Sequence, residues 1–247
     1  MASLLSQTGL VASNRPRRIL LYGVPGIGKS TWAAQAPSHI FLRTEDGDVK
    51  CTGTPLLKSL ADVMQVLHEL AVEDHPYRVA VVDSLSPIDP MCQRAVCEEG
   101  GKASIEDFGY GKGYVAAAEK WQEIVAALDR LVQRGMTVVL IGHAAIERVN
   151  NPEGDDFDRY TLRLDKRVAP LLIEWCSEVL FANYDITTRK EDAGFNRKKA
   201  KAVDLDRVLR TAEKPYCRAK NRLGLPEEIS FDWNVFVEYL KKSKEQT

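Results

Sequence analysis

Eight consecutive residues, Gly23-Val24-Pro25-Gly26-Ile27-Gly28-Lys29-Ser30, match the pattern G-x-x-x-x-G-K-S without a departure. Such a stretch is built to hold phosphate. Glycines let successive backbone N–H groups turn inward around anionic oxygens. A helix beginning where the loop ends adds its positive terminus. Lys29 would reach the β- and γ-phosphates of a nucleoside triphosphate, the Ser30 hydroxyl would ligate Mg²⁺, and Thr31 carries the loop into the helix. A glycine turn that merely joined a strand to a helix would need neither the lysine nor the hydroxyl.

Three further residues stand where a triphosphate would need them. Val79-Ala80-Val81-Val82 is an apolar run that ends in Asp83. A carboxylate at the carboxyl end of a strand faces the Mg²⁺ side of a phosphate loop, in part through water. The next residue is Ser84 and not Glu, so a general base must come from elsewhere. Glu45, just past the strand His39 to Arg43, is the candidate for orienting water toward the γ-phosphate, with Asp46 and Asp48 as rivals. His143 follows the strand Met136 to Ile141 and Gly142, so it is placed to sense the γ-phosphate and pass that state into residues 144–165.

Residues 189–222 hold twelve Lys and Arg against five Asp and Glu. A solvated charged face accounts for many such runs. Within Tyr216-Cys217-Arg218-Ala219-Lys220-Asn221-Arg222, however, strand alternation would put Arg218, Lys220 and Arg222 on one face, a row of cations that calls for a facing anion.

The elements that position these groups follow from periodicity. Ile19 to Tyr22 reads as a buried strand before the loop. Leu60, Val63, Met64, Leu67 and Leu70 have helical spacing, and Tyr77 to Val82 is a strand. Pro87 to Gly113 reads as irregular and glycine-rich. Tyr114 to Val132 repeats apolar residues at three and four, with Gly135 as the cap. Residues 144–165 read as a polar loop, Val168 to Trp175 as a short helix, and Glu178 to Tyr184 as a strand. Residues 189–203 read as charged and flexible. Val208 to Ala212 and Pro215 to Asn221 read as two paired strands, Ile229 to Trp233 as another, and Val235 to Leu240 as a closing helix. Strands alternating with helices predict an α/β fold, a mostly parallel sheet flanked by helices with an antiparallel edge extension. Residues 1–17 read as an N-terminal arm, either frayed or used in oligomerisation, and residues 18–247 as one ATPase-type domain.

Composition limits the partners. The 247 residues carry a net charge of −1, so any nucleic-acid surface must be local. The five cysteines have no metal-site spacing and fit a reducing cytosol. Apolar runs are too short to cross a membrane.

Taken together, the loop Gly23–Ser30, Thr44-Glu45, Val81-Val82-Asp83-Ser84, Gly142-His143 and Lys220-Asn221-Arg222 resemble the RecA-like P-loop NTPase core. More narrowly, they resemble the phage-encoded minimal RecA-like proteins that act as single-strand annealing recombinases. The resemblance covers about residues 17–240. It implies ATP and Mg²⁺ as cofactors, Glu45 as catalytic base and His143 as γ-phosphate sensor. It also implies that Lys220 and Arg222 complete the site of an adjacent subunit, in a ring or filament. Two loops, 100–113 and 144–165, would bind single-stranded DNA. The first carries Lys102, Phe108, Tyr110 and Lys112, a mix suited to phosphate contact and base stacking, whereas the second is acidic at Glu153, Asp155, Asp156 and Asp158. The expected setting is the cytoplasm of a bacterial host, with a single-strand DNA-binding protein as further partner. Three alternatives stay open: an AAA+-like helicase loader or DNA motor, against which Ser84 in place of Glu argues; a small-molecule kinase; and a nucleotide-gated interaction protein with little turnover.

Overall fold

The computed structural model describes residues 15–192 and 198–245; the arm expected over residues 1–17 lies outside them except for its last three positions. A sheet runs through the molecule. Its central strand is β1 (Arg18–Gly23), which lies between β4 (Thr137–Val149) and β6 (Glu178–Asp192), parallel to both. Beyond β4 come β3 (Val79–Asp83) and then β2 (His39–Arg43), also parallel. On the other side, β7 (Lys198–Arg210) pairs antiparallel with β6, and β9 (Glu228–Ser230) pairs with β7. The predicted parallel sheet with an antiparallel edge is what the chain forms.

Alternation along β1 divides the core. Leu20 and Tyr22 point to one face, covered by α2 (Leu60–Val72), α3 (Ile88–Glu99), α4 (Lys112–Gln133) and α5 (Val168–Trp175). Ile19 and Leu21 point to the other, covered by α1 (Lys29–Ala33) and α6 (Trp233–Glu245). Local signals set the helix ends. Ser59 and Asp62 form a capping box at the start of α2, with bonds of 3.1 and 3.0 Å. At the end of α4, Gly135 takes φ +95°, and the N–H groups of Gly135 and Met136 donate to the carbonyls of Val132 and Leu131. This is a Schellman ending, in keeping with the predicted cap.

Four expectations about the connections are corrected. Residues 87–113 are not irregular: α3 and a 3₁₀ turn (Ile105–Phe108) occupy most of them. The buried positions Ile88, Met91, Cys92 and Val96 have helical spacing, and Pro90 sits in the first turn, where its missing N–H costs little. Residues 144–165 are not a loop. β4 continues to Val149 and returns as β5 (Phe157–Leu162), in register from Ala144↔Leu162 to Val149↔Phe157. This ribbon carries cross-strand ion pairs, Glu147–Arg159 at 2.8 Å and Arg148–Asp158 at 3.2 Å, so it lacks the apolar alternation that marks a half-buried strand. In the stretch 189–203, read as flexible, residues 189–192 and 198–203 are strand in β6 and β7, with Glu191 opposite Lys199 and Asp192 opposite Lys198 in register, and 193–197 lie outside the described residues. Finally, the pairing expected between 208–212 and 215–221 does not form. β7 pairs with β6 and β9 instead, and the later stretch is reduced to β8 (Lys220–Asn221), antiparallel to the start of β6.

The join of β1 to its neighbours is the tightest in the sheet. A Cβ on Gly23 would lie 2.2 Å from the Ala182 carbonyl oxygen, whereas one on Gly26 would meet nothing within 4 Å. Gly23→Ala is therefore expected to destabilise the fold by about 3 kcal/mol, and Gly26→Ala, strained only by its positive φ, by about 1 kcal/mol. Urea denaturation followed by circular dichroism checks the ranking, and equal midpoints would refute it.

Candidate functional site

The sheet brings the carboxyl ends of β1, β2 and β3 together with the middle of β4. Gly23 lies opposite His143 on β4 and Ala182 on β6, and Asp83 lies opposite Arg43 and Ile141. The phosphate loop leaves β1 at this point, turns through Gly26 (φ +75°) and Gly28 (φ +101°), and enters α1 at Lys29. Glycine is required at 28 by this backbone conformation.

Lys29 is only 6% exposed. Its amine donates to the carbonyls of Gly23 (3.2 Å) and Val24 (3.0 Å), so the cation is held inside the loop it serves. Burial pulls its pKa below the ordinary lysine range, and the Arg163 charge adds to this; Asp83 and Glu45 oppose it. Asp83 behaves in the complementary way. Burial lifts its carboxyl above the ordinary range and the charge of Glu45 adds to the lift, while a hydrogen bond from Ser30 and the charges of Lys29 and His143 oppose it. Its Oδ1 is buried and, among the described residues, has no hydrogen-bond partner. Ser30 and Asp83 thus stand together as the sequence predicts, with one unsatisfied oxygen aimed into the site.

Glu45 completes the group. The Ser84 hydroxyl donates to its Oε2 at 2.9 Å, and the His143 Nε2 lies 3.6 Å from the same oxygen. The His143 imidazole, as the largest influence, holds the Glu45 carboxyl below the ordinary range; Ser84 and the Lys29 charge help, against partial burial. The neighbouring Thr44 hydroxyl donates to the Ser84 carbonyl at 2.5 Å, which fixes the turn after β2 to the turn after β3. Asp46, a rival for the role, instead pairs with Arg43 at 3.5 Å and is exposed.

These residues fit a Mg²⁺–nucleoside triphosphate. Among the described residues no three His, Cys, Asp or Glu are grouped to hold a metal by themselves. Mg²⁺ is commonly bound by one or two protein oxygens together with phosphate and water, and Ser30 and Asp83 supply those two.

Sequence reasoning missed three participants. Ser84 was noted only for not being glutamate, yet it holds Glu45. Arg163 donates its backbone N–H to the His143 carbonyl at 2.8 Å, and its charge reaches Lys29. Arg207 donates to the Ile27 carbonyl of the loop at 3.3 Å. Neither arginine lies in a recognisable motif; strand pairing alone brings them in.

Other expected residues lie elsewhere. Lys220 pairs with Val179 near the start of β6, the end of the sheet remote from the phosphate loop. Its amine donates to the carbonyls of Ile173 (3.2 Å), Glu174 (2.9 Å) and Cys176 (2.7 Å), capping α5. Arg222 is exposed at the same end, where its charge acts on buried Glu178. Arg218 faces Glu147 and Glu213 at 3.8 and 3.7 Å. The row of cations on one strand face therefore does not exist, because the strand that would align them does not. In the 100–113 stretch, Lys102 and Lys112 are exposed and Tyr110 is fully so, at φ +50° between Gly109 and Gly111. Phe108 is corrected: it packs on the core, and its ring lies so close to Gly100 that a Cβ there would come within 2.5 Å.

A family model described as an AAA domain matches residues 15–223. The chain belongs to this family. The match takes in the phosphate loop, Glu45, Asp83, His143 and the ribbon beyond it, so the AAA domain here is a P-loop nucleotide-binding domain of α/β architecture. Comparison with curated proteins gives no match. Among the described residues of this AAA domain, no helix is long and apolar enough to cross a membrane.

The bonds of Lys220 give a stability prediction. Lys220→Ala removes three charge-assisted bonds at the end of α5 and is expected to cost about 1–2 kcal/mol. Chemical denaturation without nucleotide reads it, and wild-type stability would mean that the amine does not hold α5.

Proposed function

We propose that this AAA-domain protein hydrolyses ATP and, as an oligomer, uses ATP-controlled binding of single-stranded DNA to promote annealing or pairing of strands in phage homologous recombination. The observation that carries the hydrolytic part is the Glu45 carboxylate, held by Ser84 and His143 beside Lys29 and Asp83. Lys29 neutralises charge on the phosphates. Glu45 orients the attacking water and accepts its proton, while the phosphate leaves from ADP. Ser30 and Asp83 would hold Mg²⁺, which would supply positive charge against the charge that develops on the phosphates.

The DNA part is supported by exposed residues in the stretch between α3 and the start of α4. Tyr110 stands out as an exposed aromatic between glycines, with Lys102 and Lys112 exposed nearby in sequence. A base can stack on Tyr110 while lysines meet the backbone. The acidic tip of the ribbon, Asp155, Asp156 and Asp158, repels a phosphate backbone, so that ribbon has a different task. Arg222, too far along the sheet to serve its own loop, suits the triphosphate of a neighbouring subunit. Such a head-to-tail contact builds a ring or a filament.

A second reading, a helicase loader or DNA motor, draws on the AAA family match itself. ATPase assays with and without single-stranded DNA, together with annealing of complementary oligonucleotides, separate the two. Annealing that depends on ATP supports the first, duplex unwinding or helicase delivery without annealing supports the second, and no turnover in any condition supports a nucleotide-gated interaction protein.

Glu45→Gln is expected to bind ATP normally and to hydrolyse it about 100-fold more slowly. Single-turnover hydrolysis checks this; unchanged turnover, with loss in Asp46→Asn, would move the role by one residue. Tyr110→Ala should weaken single-stranded DNA binding by about 1–3 kcal/mol, whereas Phe108→Leu should chiefly lower stability. Fluorescence anisotropy across a salt series reads the first effect and thermal melting the second.

A further inference from the structure

Arg207 on β7 and Phe231 just after β9 are not part of any motif, yet both touch the phosphate loop. The guanidinium lies over the Phe231 ring, 5.5 Å from its centroid, and donates to the Ile27 carbonyl at 3.3 Å. A Cβ on Gly28 would fall 2.9 Å from its Nη1 and 3.5 Å from the Phe231 ring. The Phe231 N–H donates to the Arg207 carbonyl, and Phe231 rests on Trp32 of α1, so the pair is fixed to the loop and to the helix behind it.

Sheet order says which part of a nucleotide would meet this pair. Asp83, Glu45 and His143 come from β3, the turn after β2 and β4 respectively, all on one side of β1, and they mark the γ-phosphate end. A triphosphate threaded along the loop from that end delivers its nucleoside on the opposite side, where β6, β7 and β9 lie. Arg207 is opposite Tyr184, two residues past Ala182, so it sits at the same end of the sheet as the loop. It is exposed, with its Cζ over the Phe231 ring.

We propose that the Arg207–Phe231 pair is the shelf on which the nucleobase stacks, with the guanidinium plane between the base and the phenyl ring. This rests on the reading of the loop as a triphosphate site and assigns the nucleoside half that the loop itself leaves open. A planar cation binds the face of a base, whereas a lysine at the same place offers charge without a plane.

The test compares ATP with inorganic tripolyphosphate, which has the anionic chain and no base, by calorimetric titration in the presence of Mg²⁺. Wild-type protein should bind both, and Lys29→Ala should lose both. Failure of either expectation would strike the triphosphate site and not the shelf. Arg207→Ala should weaken ATP roughly tenfold and leave tripolyphosphate unchanged, and Arg207→Lys should not restore ATP affinity. Phe231→Leu, which keeps an apolar support but removes the ring, should weaken ATP in the same direction. Equal loss for both ligands in Arg207→Ala would make Arg207 a phosphate contact and overturn the shelf. Unchanged ATP affinity, or full rescue by Arg207→Lys, would overturn it too.

Discussion

The close approach of β6 to the end of β1 governs this molecule. Gly23 has room for nothing but hydrogen where the Ala182 carbonyl passes. That contact fixes where β1 stops and therefore where the phosphate loop begins. Because β1, β3, β4 and β6 are parallel and in register, the same line also sets His143 beside Gly23 and Asp83 two strands away. Every charged group of the site inherits its position from this alignment. A loop of flexible glycines can present its N–H groups only because both of its anchors are rigid.

The electrostatics of the site follow from burial. Lys29, Asp83 and Glu45 share a small volume, and each one's ionisation is steadied or opposed by the others. A cation buried against carbonyls and a carboxylate with an orphaned oxygen is an arrangement short of partners. The chemistry of these groups fits anionic phosphate together with a hard divalent ion.

The parts of the fold that were legible in the sequence are those written in apolar periodicity or glycine chemistry. The parallel strands carried continuous apolar runs, α4 carried the three-and-four repeat, and the loop carried its own motif. Glu45, Asp83 and His143 were legible because each follows or ends an apolar run: Asp83 closes β3, Glu45 lies just past β2, and His143 stands where the buried half of β4 gives way to the ribbon. What sequence concealed was pairing between polar segments. The β4–β5 ribbon is held by cross-strand ion pairs and backbone bonds, and the extension of β6 and β7 pairs polar stretches in register, neither of which leaves a hydrophobic signal. For the same reason the basic segment misled. Its cations alternate as a strand would, but Lys220 closes a helix, Arg218 joins an ion-pair cluster, and Arg207 reaches the phosphate loop. Phe108 shows the converse: an aromatic in a glycine-rich stretch read as a surface group is half-buried and packs against the core, because α3 was hidden before it.

β4 is two strands in one. From Val138 to Gly142 it is buried and belongs to the parallel sheet, His143 to Ala145 are half-buried, and beyond them exposed and half-buried residues alternate. Its outer half forms a ribbon whose far end bears no share of the core. Natural variation can therefore lengthen, shorten or recharge that end without disturbing His143. The domain thus has an appendage held apart from its root: β5 pairs with the outer half of β4, while the parallel sheet keeps His143 beside Gly23.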